Sequence, residues 1–156
     1  MFHVKHFSTP NMLSLISMFR RKSMPRNQSQ RIMSIQAWRE FGGKRNFYRS
    51  KQESNYGRWL EFQKQRGLIK EWEHEPKTFW FEKIKRGINN YKPDFEVTLN
   101  DGTIEYHEVK GWMDSKSKTK IKRFVKYYPE LTLKVFGAKW YREASKKLFR
   151  IVRGWE

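Results

Sequence analysis

Apolar side chains recur at helical intervals in the middle of the chain, at Tyr56, Trp59, Leu60 and Phe62. Intervals of three and four residues place side chains on one face of an α-helix. Gly67 follows this run, and glycine readily adopts the left-handed conformation that commonly ends a helix. The pattern therefore predicts a helix over residues 50–66.

A second pattern, in which apolar and polar residues alternate, extends over residues 68–81. Alternation with period two is typical of a half-buried strand. Pro76 interrupts it, and proline lacks the N–H that a central strand donates, so this segment is predicted to be an edge strand or to carry a bulge. Residues 83–90 show no periodicity and are predicted to form a loop.

Two runs rich in β-branched and aromatic residues, at 95–99 and 103–109, flank the sequence Asn100-Asp101-Gly102. These three residue types tolerate positive φ and favour a tight turn. The segment is therefore predicted to be an antiparallel hairpin.

The remaining pattern predicts a helix over residues 115–127, a strand over 131–136 and a basic helix over 141–152. Ile121 and Phe124 share one side of the first of these helices, and Pro129 ends it. Helices and strands in this order predict an α/β fold, in which helices cover a sheet.

The excess of basic residues adds a functional expectation. The chain has 34 Lys and Arg against 16 Asp and Glu, a formal charge of +18, and 17% of its residues are aromatic. Strong basicity combined with flat rings favours a nucleic-acid partner, although a basic surface also suits an anionic membrane. We expect DNA as the partner and no membrane.

The chain contains no cysteine, which excludes disulfides, thiolate catalysis and metal sites built on Cys. No apolar run approaches the roughly 18 residues needed to span a bilayer. A soluble protein in the cytoplasm is therefore expected, or in the host cytoplasm if a phage encodes it.

No acidic residue precedes Glu40, whereas the first 39 positions hold seven Lys or Arg. We interpret residues 1–39 as a basic, disordered N-terminal arm and residues 40–156 as one globular domain. Two alternatives stay open for the arm: an organellar transit peptide, which is also acid-poor and Ser-rich, and an extension upstream of a working start at Met24 or Met33.

The hairpin carries the candidate chemistry. A three-residue turn at 100–102 pairs Leu99 with Thr103 and so places Asp94 opposite Glu108 on one face. Two adjacent carboxylates repel each other unless a cation compensates them, and Mg²⁺ prefers such hard oxygen ligands. Lys110 shares this face because strand side chains alternate, and its ammonium can hold a phosphate oxygen or orient the attacking water.

The simpler alternative is that Asp94 and Glu108 are solvated strand charges and that Lys110 pairs with one of them. A non-catalytic module that binds nucleic acid through charge and stacking is the corresponding alternative function.

The run PDF…EVKG at residues 93–111 resembles the signature of the PD-(D/E)XK nuclease superfamily. The segments YRSKQE at 48–53 and KRFVKYYPELTLKVF at 122–136 are similar to the first helix and the segment after the active site in the phage endonuclease I family of Holliday-junction resolvases. The resemblance extends over residues 47–137. The interval between Asp94 and Glu108 is a few residues longer than in the resolvases, and the chain beyond Phe136 departs from them.

This resemblance implies a PD-(D/E)XK, restriction-endonuclease-like α/β core with a mixed central sheet flanked by helices, and a Mg²⁺- or Mn²⁺-dependent endonuclease acting on DNA, with branched or Holliday junctions among its substrates. The implied catalytic residues are Glu53, Asp94, Glu108 and Lys110. The implied metal ligands are Glu53, Asp94, Glu108 and the main-chain carbonyl of Val109. To share one cation, the Glu53, Asp94 and Glu108 carboxylates must converge within about 5 Å. It further implies a homodimer in which residues 70–81 exchange between subunits, although the aromatic residues there can instead fill the monomer's own core.

Basic residues follow the predicted active-site strand directly, at Lys116, Lys118, Lys120, Lys122 and Arg123. We expect them to contact phosphates, the alternative being a solvated helix face. His107 has the opposite strand parity from Glu108 and is expected to face the other side of the sheet.

Overall fold

A computed structural model describes residues 36–156 as an α/β fold with three helices. The helices are α1 (Lys51–Gln65), α2 (Ser115–Tyr127) and α3 (Ala138–Leu148). The strands are β1 (Ala37–Phe41), β2 (Lys44–Tyr48), β3 (Glu71–His74), β4 (Phe79–Trp80), β5 (Asn90–Tyr91), β6 (Phe95–Thr98), β7 (Ile104–Lys110) and β8 (Thr132–Gly137). Among these residues no helix is long and apolar enough to cross a membrane.

The central sheet has four strands in the order β3–β6–β7–β8. Strand β6 is antiparallel to both of its neighbours, β3 and β7, whereas β7 and β8 run parallel. A parallel pair needs a crossover connection, which α2 supplies. The predicted mixed sheet with flanking helices is confirmed at this level.

Two apolar clusters cover opposite faces of this sheet. The first joins α1 and α3 to the sheet through residues such as Tyr56, Phe95 and Leu148. The second joins α2 and the short β4–β5 pair to the other face and includes Tyr106 and Phe124. Because strand side chains alternate, β7 contributes Val109 to the first cluster and Tyr106 to the second.

Both helices that border the predicted site begin at a side-chain cap. The Ser50 hydroxyl accepts from the Glu53 N–H at 3.1 Å, and the Asp114 carboxylate accepts from the Ser117 N–H at 2.6 Å. Each cap satisfies one of the N–H groups that the first turn of a helix leaves unpaired. The predicted helices 50–66 and 115–127 are confirmed.

Residues 36–48 differ from the prediction. The predicted domain boundary at residue 40 lies inside β1, which pairs with β2 through a turn at Gly42 and Gly43. Both glycines have positive φ, 61° and 72°, as a two-residue hairpin turn requires. Ala37, Trp38 and Arg39 therefore belong to the folded part, while residues 1–35 of the predicted arm lie outside the described residues.

Three other boundaries are corrected. The predicted strand at 68–81 is two strands in different sheets, since the chain turns at Glu75, whose φ is +46°, and at Pro76. Tyr91 and Asn90 form a strand where the loop was predicted to end. Helix α3 begins and ends earlier than 141–152, because Gly137 ends β8 and starts the helix directly.

Most of the aromatic residues in the segment from β3 to the end of β4 and Phe81 pack in the two apolar clusters of the monomer. Trp72 is buried in the first cluster, and Phe79 and Phe81 are buried in the second. Trp80 is exposed. The core interpretation therefore accounts for three of the four rings.

Candidate active site

The β6–β7 hairpin places Asp94 opposite Glu108. The ladder pairs Phe95 with His107, and the Leu99 N–H donates to the Thr103 carbonyl at 2.8 Å. This is the register predicted for a three-residue turn. The ladder ends at Phe95 and His107, and Asp94 and Glu108 are the next residues in the same register. The Asp94 Oδ2 accepts from the Val109 N–H at 2.7 Å, so its carboxylate is fixed against β7.

Glu108 is held from two sides. The Tyr91 hydroxyl donates to its Oε2 at 2.6 Å, and the Lys110 ammonium lies 2.7 Å from its Oε1. Both side chains of the ion pair project from the same face of β7, as predicted. The carboxylate is almost completely buried, so these two donors replace water that it would otherwise bind.

Like charge is concentrated around Asp94. Burial, followed by repulsion from Glu108, raises the pKa of Asp94 well above its ordinary value, and Glu53 adds to the rise. The same carboxylates affect the pKa of Lys110 in the direction that favours its charged form. Burial alone would lower the pKa of its ammonium, but the Glu108 and Asp94 carboxylates raise it, with a contribution from Glu53. The four predicted catalytic side chains thus act on one another electrostatically.

Glu53 reaches this region from the first turn of α1. Its Oε2 accepts from the Arg49 N–H at 3.1 Å, and its Oε1 lies 2.6 Å from His74 Nε2. Both side chains of the Glu53–His74 pair are buried. Sequence reasoning did not identify His74, because it lies at the end of β3 and no spacing in the chain relates it to Glu53.

The ligand atoms that approach most closely are not those expected. Among the described residues, Glu53, His74 and Glu75 bring one ligand atom each within 4.8 Å of one another. Asp94 and Glu108 are not members of this group, so the predicted convergence of three carboxylates is not met. Glu75 is also engaged by Arg49 at 2.6 Å.

The donor set at Asp94 and Glu108 nevertheless suits a hard divalent cation. The two carboxylates are neighbours and buried, and repulsion from Glu108 adds to burial in raising the pKa of Asp94, against the opposing charge of Lys110. One or two carboxylates, completed by water, are a usual protein contribution to a Mg²⁺ site. The residues present therefore fit such an ion at this pair, while the Glu53 carboxylate is bound by His74 and acts on Asp94 electrostatically.

A comparison with protein families matches residues 42–143 to the family described as "Protein of unknown function (DUF1064)". This match spans more than half of the chain. The chain belongs to the DUF1064 family. No curated protein and no solved structure matches it. The DUF1064 region contains every residue predicted for the site.

Helix α2 of the DUF1064 region presents lysines close to the site. It begins five residues after Lys110. The four lysines predicted to contact phosphates, Lys116, Lys118, Lys120 and Lys122, are exposed, and so is Lys126. Arg123 is different, because its guanidinium donates to the Ile88 carbonyl and is partly buried. The exposed lysines are therefore available to a polyanion, while Arg123 connects α2 to the segment between β4 and β5.

His107 lies on the opposite face from Glu108, as predicted. Its Nδ1 is 2.9 Å from the Tyr56 hydroxyl and its Nε2 is 3.2 Å from the Glu105 carboxylate. Burial lowers the pKa of His107, so the ring is neutral at pH 7 and bridges α1 to β7. This arrangement is structural and uses both ring nitrogens.

Proposed function

We propose that this protein is a metal-dependent endonuclease of the PD-(D/E)XK type that hydrolyses DNA phosphodiester bonds. The observation that carries the proposal is the buried Asp94–Glu108 pair, aligned by the hairpin register, with Lys110 on the same strand face. Burying two adjacent carboxylates is costly unless a positive charge compensates them. Binding of a divalent cation and a phosphodiester substrate would explain why two carboxylates are buried side by side.

Asp94 and Glu108 would hold the ion, and Glu53 and the Val109 carbonyl are the further ligands that the resemblance implies. A bound Mg²⁺ or Mn²⁺ supplies positive charge that stabilises the negative charge developing on the phosphate oxygens. Tyr91 orients Glu108 through its 2.6 Å hydrogen bond. The Val109 N–H orients Asp94 in the same way.

Lys110 is the catalytic cation of the chain itself. Its raised pKa keeps the ammonium charged at neutral pH. A charged ammonium beside the scissile phosphate can hold a non-bridging oxygen and orient the attacking water. When substrate enters, Lys110 exchanges part of its ion pair with Glu108 for this contact.

The surroundings of the site support DNA as the substrate. The exposed lysines of α2 follow the catalytic strand and can neutralise backbone phosphates on either side of the cut. Branched junctions are the substrate class, and a homodimer the assembly, that the resemblance to the resolvases adds. The proposed compartment is the cytoplasm, with which the absence of cysteine agrees.

One observation favours a second candidate, a non-catalytic module that binds nucleic acid. Lys110 already pairs with Glu108 at 2.7 Å, and Glu53 already pairs with His74. These contacts would make the acidic residues structural. Such a module would bind DNA through charge and stacking and would leave it intact.

Cleavage assays separate the two functions. Purified protein is incubated with labelled junction, flap and duplex DNA in Mg²⁺, in Mn²⁺ and in EDTA. We expect cleavage that EDTA abolishes, and loss of cleavage in both Glu108→Gln and Lys110→Ala with DNA binding and fold retained, because each variant removes one charged group of the site.

Matched controls are Glu96→Gln, a carboxylate on the other strand of the same hairpin, and Lys146→Ala, an exposed lysine on α3. Both controls should cleave like the unaltered protein. Cleavage by Glu108→Gln or Lys110→Ala at a near-normal rate would refute the assigned roles. Metal-independent binding without any cleavage would establish the non-catalytic module instead.

A further inference from the structure

The outer face of the β1–β2 hairpin exposes an aromatic pair. Trp38 and Phe47 are directly opposite each other across the two strands, with ring centroids 5.7 Å apart in an edge-to-face arrangement. Their exposed fractions are 58% and 41%. The alternate positions Arg39 and Tyr48 are buried, so the hairpin is anchored by one face and presents the other to solvent.

An arginine accompanies the two rings. The Arg45 guanidinium lies 5.3 Å from the Trp38 ring centroid, within the range of a cation–π interaction. Glu40 is its direct cross-strand partner, yet among residues 36–156 no carboxylate forms an ion pair with Arg45. Its charge is therefore available to an external anion.

Strand β2 leads from this face towards the candidate active site. It ends at Tyr48, whose ring lies on the opposite, buried face of the hairpin with its centroid 4.5 Å from that of the His74 ring. The next residue, Arg49, donates its N–H to Glu53 and keeps an exposed guanidinium group. A strand of nucleic acid leaving the site can therefore pass Arg49 and reach Phe47 two residues away.

We propose that the outer face formed by Trp38, Arg45 and Phe47 is a stacking surface for the unpaired bases of single-stranded DNA. Exposed rings stack on bases of any sequence, and an arginine beside them contacts the phosphates. The +18 charge of the chain favours this occupant over an apolar protein segment. The inference rests on the proposed function only in taking DNA as the partner, and it specifies substrates with an unpaired stretch next to the cut.

The test measures binding without cleavage. Fluorescence anisotropy in EDTA compares a labelled oligothymidine with a duplex of equal length. Trp38→Ala and Phe47→Ala should each weaken single-strand binding about tenfold, since one base–ring stack is lost, and should change duplex binding much less. Trp38→Phe should retain most of the affinity because it keeps a ring.

Phe149→Ala is the matched control. Phe149 is 40% exposed and lies beside Arg150, whose guanidinium is 5.3 Å from its ring, so it reproduces the aromatic–arginine pair elsewhere on the surface. Single-strand affinity should be unaltered in this variant. Circular dichroism checks that all variants fold, which is expected because the replaced rings are exposed.

Three results would overturn the proposal. They are unchanged single-strand binding in Trp38→Ala and Phe47→Ala, equal losses on single-strand and duplex DNA, and an equal loss in Phe149→Ala. A dimer in light scattering that Trp38→Ala dissociates would assign this face to a second copy and would likewise overturn it. Because EDTA is present throughout, these outcomes do not depend on whether the protein cleaves DNA.

Discussion

Glu105 is the centre of a polar network that connects the helix carrying Glu53 to the strand carrying Glu108. Its Oε2 lies 2.7 Å from the Lys134 ammonium and accepts from His107 Nε2 at 3.2 Å. His107 in turn accepts from the Tyr56 hydroxyl of α1 at 2.9 Å. We predict that Glu105→Gln destabilises the fold in a pH-dependent way, because it keeps the shape of the network and removes its negative charge.

The lowered pKa of Glu105 gives the size of the expected loss in unfolding free energy. Burial alone would raise this pKa, but the hydrogen bonds from His107 and Lys134 and the Lys134 charge lower it from 4.5 to about 2. A difference of this size corresponds to about 3 kcal/mol at 1.36 kcal/mol for each pKa unit. The Lys134 side chain is 24% exposed, so solvent screening reduces the contribution to about 2 kcal/mol.

The sign of the pH dependence follows from the lowered pKa. Stability from Glu105 is fully present above pH 4.5, where the carboxylate is ionised even in the unfolded chain, and is lost as the pH falls towards 2. The gap in unfolding free energy between the unaltered protein and Glu105→Gln should therefore be about 2 kcal/mol at pH 7 and shrink steadily below pH 4.5.

Urea denaturation followed by circular dichroism at pH 7, 5, 4 and 3 measures this gap. Glu143→Gln is the control, because Glu143 pairs with Lys146 on the exposed surface of α3 and should have little effect at any pH. A gap that stays constant with pH would refute the reasoning, since it would show that the Glu105 charge contributes nothing and that only packing was altered.

Three further predictions concern the site, the N-terminus and the assembly. Tyr91→Phe should lower the unfolding free energy by about 1.5–3 kcal/mol, the value of a hydrogen bond to a charged group, whereas equal stability in urea would show that Glu108 does not need this donor. Deleting residues 1–32, which hold six Lys or Arg, should leave the melting temperature nearly unchanged and make the salt dependence of DNA binding shallower; a large loss of stability would mean that the segment packs on the domain. Light scattering at micromolar concentration should detect a dimer if the protein is a resolvase, because two symmetric cuts require two sites. A monomer of 19.2 kDa that cuts junctions no better than duplex would leave a simpler endonuclease.

The sequence predicted the parts of the fold that local rules determine. Asn100-Asp101-Gly102 defined a three-residue turn, and strand periodicity then placed Asp94, Glu108 and Lys110 on one face. The β1–β2 hairpin was not predicted, because apolar residues lie on both of its faces, with Tyr48 buried in the core and Trp38 and Phe47 exposed. Arg39 is buried against Glu156, while Trp38 and Phe47 face solvent, so apolar periodicity gives no signal for a core-facing side.

The side chains that support the site were not predictable in the same way. His74 meets Glu53 and Tyr91 meets Glu108 only because β3 and the β4–β5 pair are brought against other elements by tertiary packing. A histidine and a tyrosine are common in strands, and nothing in their neighbours distinguishes these two. Long-range contacts of this kind are visible only in the folded chain.

The acidic residues of the candidate site are separated by very different distances along the sequence. Asp94 and Glu108 are 14 residues apart in one hairpin, whereas Glu53 precedes Asp94 by 41 residues. Loop-closure entropy makes the longer approach about 1 kcal/mol more costly, before the ordering of the intervening strand is counted. The Asp94–Glu108 pair can therefore form early during folding, when the two neighbouring strands pair. The Glu53 carboxylate reaches the site only when α1 docks on the sheet. The complete set of acidic groups thus exists only in the fully folded domain.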